Sequence, residues 1–424
     1  MSKGTRTIRA AFDTLGCKLN QAEAESLSEK FVQAGYQVVA PDDEFDVYIL
    51  NTCTVTHIAD RKARHLLRMA HRRNPGAVLV AAGCYAEHAA SDLIKIDGVR
   101  LAVGNHEKMS LPQLLIESGL VSSDGLVVTA GGVGANLRTR SFISIQDGCN
   151  NFCSYCIVPY VRGREKSVSP GMIIKEISEK VSCGYREVVL TGTEIGSYNY
   201  DGLTLESLID IILKETTVER LRLSSLQPQE ITPGLIALWK NGRLCSHFHM
   251  SLQSGSDTVL KRMRRLYTTA DYLGAVSLIR SVAGEAAITT DIIAGFPGES
   301  DQEFSEGHDF CKQIGFARIH VFSYSKRRGT AASIMPDQIS PQVKKKRSDI
   351  MLKLAEDSAA AFHSNYIGKN LRVLWEQADN GIWSGYSANY IKVYTESDSD
   401  LTNVISNVSV ERLYGDGVWG EIKL

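Results

Sequence analysis

The sequence predicts an α/β protein: an open parallel sheet, then a partial (βα)6 barrel, then a small all-β barrel. Three observations carry this. Over roughly the first hundred residues short apolar runs alternate with helical patterns, and from about Ser141 the same rhythm restarts with six strand-like runs. Past Asn370 the helical periodicity stops, leaving short β-rich runs between turn residues. At 424 residues the chain has room for two to four domains on a prior of about 100–200 residues each.

In the first segment, residues 9–13, 47–51 and 77–82 read as strands and 22–34, 59–73 and 89–94 as helices. Parallel strands need crossover helices, so the segment is flavodoxin-like, with its chemistry at the carboxyl ends of the strands. Cys17 (TLGCKLN), Cys53 (ILNTCTVT) and Cys84 (LVAAGCYAE) each follow an apolar run and so share that edge. Residues 131–134, in TAGGVGANLR, carry neither periodicity and read as a linker. The next strands are FISIQ (142–146), EVVLT (187–191), RLRLSS (220–225), FHMSLQ (248–253), AITTDIIA (287–294) and ARIHVFS (317–323). Helical patterns separate them, so a partial TIM-like barrel is expected, with its site on the C-terminal rim. Residues 341–367 form one helix, and runs such as LRVLWE and NYIKVY build the terminal barrel. The expected domains are 1–135, 136–367 and 368–424.

Lys and Arg total 47 against 48 Asp and Glu, with 43% hydrophobic residues, which excludes a disordered or globally basic chain. The opening MSKGTRTIRAAFDTLG lacks the apolar core of a signal peptide, and no run approaches 18 apolar residues, so a cytoplasmic protein without a membrane span is expected. In that reducing compartment the nine cysteines favour metal binding or redox chemistry over disulfides.

Cys149, Cys153 and Cys156 form C-x3-C-x2-C in QDGCNNFCSYCIVPYVRGR. Three thiolates on one loop can hold three irons of a [4Fe-4S] cluster and leave the fourth open to a ligand, whereas a structural zinc normally takes four protein ligands. Cys17, Cys53 and Cys84 can converge at the sheet edge and hold a second cluster; buried core thiols are the alternative. Gly16, Gly83, Asn51 and Thr52 beside them favour tight polar turns over core. Cys183, Cys245 and Cys311 lie in or beside helical patterns and read as buried or incidental thiols.

The C-x3-C-x2-C loop after the first strand of a βα barrel resembles the radical S-adenosylmethionine (SAM) superfamily. That implies a cluster whose open iron chelates SAM and whose electron cleaves it to a 5′-deoxyadenosyl radical. Two cysteine triads followed by a barrel of about 55 residues resemble the methylthiotransferases, as do LTGTEIGSY, LQSGSDTVLKRMRRLY, TDIIAGFPGE and FSYSKRRGTAA. The terminal barrel is similar to the RNA-binding TRAM module. TLGCKLNQAEAE and NTCTVTHIADRKAR most resemble the branch acting on N6-threonylcarbamoyladenosine beside the tRNA anticodon. The resemblance implies two [4Fe-4S] clusters and SAM as cofactors, one SAM supplying the methyl group and another the radical. It implies the tRNA anticodon loop as partner and an electron donor such as flavodoxin or ferredoxin. A ribosomal-protein methylthiotransferase and a non-catalytic RNA-binding iron–sulfur redox sensor are the alternatives.

Candidate SAM contacts are the turn Thr191, Gly192, Thr193, Glu194, then Ser224, Ser225, Glu230, Gln253, Ser254, Asp291 and Gly295, all on the expected rim. Arg162 and Arg164 follow the cysteine loop and suit a carboxylate or phosphate. Arg61, Arg64, Arg68 and Arg72 share one helix face, and Lys261, Arg262, Arg264 and Arg265 with Lys326, Arg327 and Arg328 extend the positive charge into a phosphate track. Trp383, Tyr386, Tyr390 and Tyr394 are candidate base-stacking aromatics.

Overall fold

The computed structural model describes residues 7–123, 126 and 139–423; the linker expected at 131–134 lies outside them. The first unit is a parallel sheet of β1 (Arg9–Thr14), β2 (Gln37–Val39), β3 (Val47–Thr52), β4 (Val78–Gly83) and β5 (Val99–Val103), in spatial order β2-β1-β3-β4-β5. Central β3 is buried along its whole length, as a strand covered on both faces must be. The edge strands β2 and β5 expose Gln37 and Arg100, so no continuous apolar run marks them in the sequence.

Helices α1 (Lys18–Gln33) and α4 (Leu111–Glu117) cover one face, with Leu27, Phe31 and Leu111 packed on Ile49 and Val80. Helices α2 (His57–Arg73) and α3 (Cys84–Ile94) cover the other, with Ala63, Leu67 and Leu93 packed on Leu50 and Leu79. Burying each leucine contributes about 1.5–3 kcal/mol, enough to override the exposed, strongly basic outer face of α2. Thr56 starts α2 by accepting the Ala59 amide at 3.2 Å.

The central unit has two parallel sheets. Arg140–Ser144, Glu187–Thr191 and Arg220–Leu223 form one; Ser225–Leu226, His247–Met250, Ala287–Ala294 and Arg318–Ser323 form the other. They join where the third strand breaks at Ser224, giving six consecutive strand positions in a partial barrel. The first strand begins at Arg140, two residues before the expected start, and the fourth ends at Met250 rather than at 253. No pairing joins the first and sixth strands among the described residues, and α1 packs beside the first at this open side.

Helix Pro341–Ser364 leads into a closed five-stranded barrel in the order Asn370–Asp379, Ile382–Ser387, Lys392–Glu396, Gly417–Lys423, Ile405–Tyr414. Trp375 and Trp383 fill its core with Val373, Val393 and Val408. Trp383 is therefore corrected from a base-stacking candidate to a core residue, its indole donating to the Ser397 carbonyl at 3.2 Å. The barrel docks through buried charge: Glu187 accepts from Arg222 Nε at 2.7 Å and forms an ion pair with Arg220, whose Nε lies 2.8 Å away, and these arginines donate to the carbonyls of Tyr386, Ser387 and Ala388.

Candidate active site between two cysteine triads

Each N-terminal cysteine stands where a strand hands over to the next element. Cys17 caps α1, Cys53 follows β3, and Cys84 opens α3. Gly16, at φ +110°, lets the loops touch: a Cβ there would lie 2.6 Å from Cys53 Cβ. Asn20 fixes the edge by donating to the Leu15 carbonyl at 2.7 Å and the Thr52 carbonyl at 3.0 Å. All three thiols are free. Burial pushes Cys53 up to about 12 and also raises Cys17. Metal binding would displace those protons, since the thiolate is the ligand.

Cys149, Cys153 and Cys156 sit on one loop at the top of the barrel and are likewise free. The loop is tightly pinned. Ser154 hydrogen-bonds to Met263, Arg262 and Ala332 through its amide, hydroxyl and carbonyl. Gly148, at φ +73°, admits the Arg164 carbonyl, which would stand 2.1 Å from a Cβ. Burial raises Cys149 to about 11 and Cys156 to about 12, while Arg265 Nη1 lies 3.3 Å from Cys153 Sγ. Three thiols, an adjacent guanidinium and no fourth protein ligand on the loop fit a cluster with one open iron.

The triads are neighbours. Cys84 packs with Ile157 and Val161, just beyond Cys156. Val55 and Thr56, just after Cys53, line a cavity of about 180 Å3 with Cys156, Gln253, Asp291 and Ser325. Arg162 bridges the two parts, donating to Glu23 at 2.9 and 3.0 Å, to Asp147 at 2.9 Å and to Asn20 at 2.7 Å. Lys108 completes the network with Glu23 at 2.6 Å and reaches Asn105, which donates to Cys84 Sγ at 3.5 Å.

Around the barrel loop the expected rim residues divide. Thr193 donates to Asp147 at 3.1 Å, and the Glu194 amide to Gln146 at 2.9 Å. Buried Gln227 donates to Glu194 and accepts from Arg265 at 2.9 Å. Burial, then the neighbouring Glu194, pushes Glu230 up to about 9, so this pair of carboxyls holds a proton at neutral pH. The Ser224 hydroxyl is buried without a partner among the described residues, a polar atom left over at the strand break for a ligand. Thr191 is buried at its strand end, with Gly192 half-buried after it and Ser225 half-buried past the break. Gln253 adopts φ +69° and accepts the Ile293 amide at 2.9 Å.

Two of the expected rim positions pack inward. Ser254 is buried and lines a small cavity against the helix Asp301–Ile314, its hydroxyl accepting the Ser256 amide. Gly295 packs on the Lys344 stem and gives its amide to Glu299 at 2.9 Å.

Inside the barrel lies a polar floor of which the sequence pattern marked only Asp291 and not His249 or His320. His249 contacts Thr289 at 3.0 Å and Asp291 at 3.3 Å. The ligand atoms of His249, Asp291 and His320 lie within 4.8 Å of one another. Lys18, the first residue of α1, reaches this interior with its ammonium 5.9 Å from the Tyr390 ring centre. Burial and the nearby Arg222 and Arg140 hold Lys18 below the ordinary lysine value.

Of the expected RNA contacts, Arg61, Arg68, Arg72, Arg164 and Arg264 are exposed. Arg64 is half-buried and donates to the Tyr85 hydroxyl at 2.6 Å. Three arginines are corrected to internal roles. Arg162 is committed to Glu23; Arg327 is buried on Asp60 at 2.8 Å; Arg265 is spent on Cys153 and Gln227. Tyr386 is also corrected: it stacks on Tyr390 at 4.8 Å and under Arg140 at 4.8 Å, inside the junction between the two barrels. Besides Tyr394, one of the expected candidates, the surface offers further aromatics. Phe152 and Tyr160 are exposed, with Arg164 4.5 Å over Phe152. On the terminal barrel Tyr394, Tyr414 and Trp419 form an edge-to-face row, with Arg412 4.9 Å over Trp419.

Comparison with known proteins agrees with this geometry. Residues 143–311 match the Radical SAM superfamily, and residues 9–104 match Uncharacterized protein family UPF0004. The chain is 37% identical to the threonylcarbamoyladenosine tRNA methylthiotransferase MtaB of Bacillus subtilis, covering 94% of this chain and 93% of that protein. It is 32% identical to a tRNA-2-methylthio-N(6)-dimethylallyladenosine synthase of Endomicrobium trichonymphae, over 97% of this chain and 99% of that one. In fold it resembles the radical S-adenosylmethionine methyltransferase TsrM of Kitasatospora setae, with a TM-score of 0.58 at 14% identity and 77% of each chain covered.

Proposed function

The chain belongs to the tRNA methylthiotransferases of the radical SAM superfamily, and from that premise we propose that it replaces the C2 hydrogen of N6-threonylcarbamoyladenosine, beside the anticodon, with a methylthio group. The observation that supports this reading best is the meeting of two free-cysteine triads, with Val55 and Cys156 lining one cavity and Arg162 linking the loops. The family implies SAM and one [4Fe-4S] cluster, for which Cys149, Cys153 and Cys156 are the ligands. We assign a second cluster to Cys17, Cys53 and Cys84 as the sulfur-delivery site.

The purine C2–H bond is neither acidic nor electrophilic, so two-electron routes fail; the bound cluster supplies the electron that cleaves SAM and makes hydrogen-atom abstraction available. The protein's own residues hold and orient. We assign Thr193, Glu194 and Ser224 to SAM binding, supported by the unpartnered Ser224 hydroxyl, and Arg265 would offset the charge beside Cys153. The adenine must leave its stack to enter the cleft, at a cost of a few kcal/mol that is lower in an unpaired loop.

We read the units as 1–135, 136–367 and 368–424, the last binding RNA through Tyr394, Tyr414, Trp419 and Arg412. A flavodoxin or ferredoxin is the reading for the electron donor, and the cytoplasm, where tRNA is modified, for the compartment. No helix of the described residues is long and apolar enough to cross a membrane.

Anaerobic reaction of the reconstituted protein with dithionite, SAM and tRNA tests the proposal. Expected products are 5′-deoxyadenosine and the 2-methylthio nucleoside in digested tRNA. RNA binding without either product would make it a redox sensor. Methylthiolation of a ribosomal protein but not tRNA would move it to the protein-modifying branch.

A further inference from the structure

Lys18 has no ion-pair partner among the described residues. It is half-buried at the first position of α1, where the helix dipole already disfavours positive charge. Tyr390, Arg222, Arg140 and Glu187 are its titratable neighbours. Among the described residues it makes no ion pair and no hydrogen bond, and its nearest recorded partner is the Tyr390 ring. The carboxylates of that interior are engaged elsewhere: Glu187 by Arg222 and Arg220, Asp291 by His249 at 3.3 Å. A buried ammonium so placed is costly unless an anion comes to it.

Its position says which anion. Lys18 adjoins Cys17 in sequence and projects into the barrel interior that Asp291 shares with the cavity between the triads. In a purine, C2 and C6 both flank N1, so an adenine presenting C2 to the N-terminal triad brings its N6 substituent to the same side. On the reading given above, that substituent ends in a carboxylate.

We propose that Lys18 is the counter-ion of the carboxylate on the N6 side chain and the residue that selects carboxylate-bearing over neutral N6-substituted adenosines. The inference rests on the proposed substrate. Arg140 cannot replace Lys18, because Glu376 holds it at 2.7 Å.

The test uses holoenzyme and two tRNAs, one with the natural N6-threonylcarbamoyl group and one with its carboxylate converted to the carboxamide. The wild type is expected to prefer the carboxylate by roughly 10- to 100-fold in kcat/KM, the range for a hydrogen bond to a charged group. Lys18→Met should bring that ratio close to one, mostly through KM, and Lys18→Arg should restore part of it. Iron content and the visible spectrum of each variant report on the neighbouring cluster. Equal losses on both tRNAs would make Lys18 structural and overturn the inference, as would a wild type indifferent to the carboxamide, a measurement that needs no variant. A wild type inactive on the carboxylate tRNA would instead remove the substrate reading itself.

Discussion

Arg162 donates to both carboxylate oxygens of Glu23, at 2.9 and 3.0 Å, although 139 residues separate them. Glu23 lies on α1, six residues after Cys17, and Arg162 six residues after Cys156. One buried ion pair thus fixes the sulfur-bearing edge of the sheet against the mouth of the barrel. Arg162 and Lys108 hold the Glu23 carboxyl at about 2 against the effect of burial.

Replacing Arg162 with Met leaves Glu23 with Lys108 alone and takes away the cationic partner of Asp147. The expected loss is roughly 3 kcal/mol, typical for removing one partner of a buried pair. Arg162→Lys should retain part of it, lacking the two-pronged geometry. Urea denaturation of the cluster-free proteins checks this; an unchanged midpoint would show that the pair does not hold the units together.

Two independent three-thiolate sites should bind about eight irons per chain after anaerobic reconstitution. Cys153→Ala should retain about half of the iron and lose SAM cleavage. Cys53→Ala should also lose about half, but keep SAM cleavage while losing the methylthio product. Iron analysis with chromatography of 5′-deoxyadenosine and of tRNA nucleosides separates the variants, and normal methylthio product from Cys53→Ala would refute the sulfur-delivery assignment.

Docking of the terminal barrel should weaken in acid. Glu187 is fully buried, and Arg222 and Arg220 hold it at about 2 instead of the ordinary 4.5. A depressed carboxyl contributes its full stabilisation above pH 4.5 and loses it as pH falls toward 2, a span worth about 3 kcal/mol. Comparing denaturation of the wild type with Glu187→Gln from pH 6 to about 2 should show a gap that is constant above about 4.5 and narrows below. A gap independent of pH would mean that the carboxylate is not the docking element.

The tRNA surface should divide between phosphate and base contacts. Reversing charge at exposed Arg61 and Arg68 should weaken binding and lower the salt slope by roughly 1.5, at about 0.7–0.9 per phosphate contact. Trp419→Ala should cost about 1–3 kcal/mol of tRNA affinity with little change in that slope. Filter binding across a salt series distinguishes them. Trp383→Ala should act differently, lowering barrel stability by roughly 3–5 kcal/mol, because that indole is core.

The sequence by itself determined the three-part α/β architecture, the six cysteines proposed as cluster ligands and the family. Those features are local: strand and helix periodicity report which face is apolar, and the C-x3-C-x2-C spacing lies within eight residues. Only the tertiary structure decided where the charges and aromatics go. Arg162, Arg265 and Arg327 carry the same local signature as Arg61 and Arg68, yet Glu23, Cys153 and Asp60 draw them inward from 139, 112 and 267 residues away. Trp383 and Tyr386 stand three apart in one strand and so on opposite faces; closure of the barrel hid the first, and docking on Arg220 and Arg222 covered the second. Lys18 is the opposite case: the fold brought it to an interior whose carboxylates were already taken. A side chain's partner is set by which distant segment packs against it, and pattern within one segment carries no record of that.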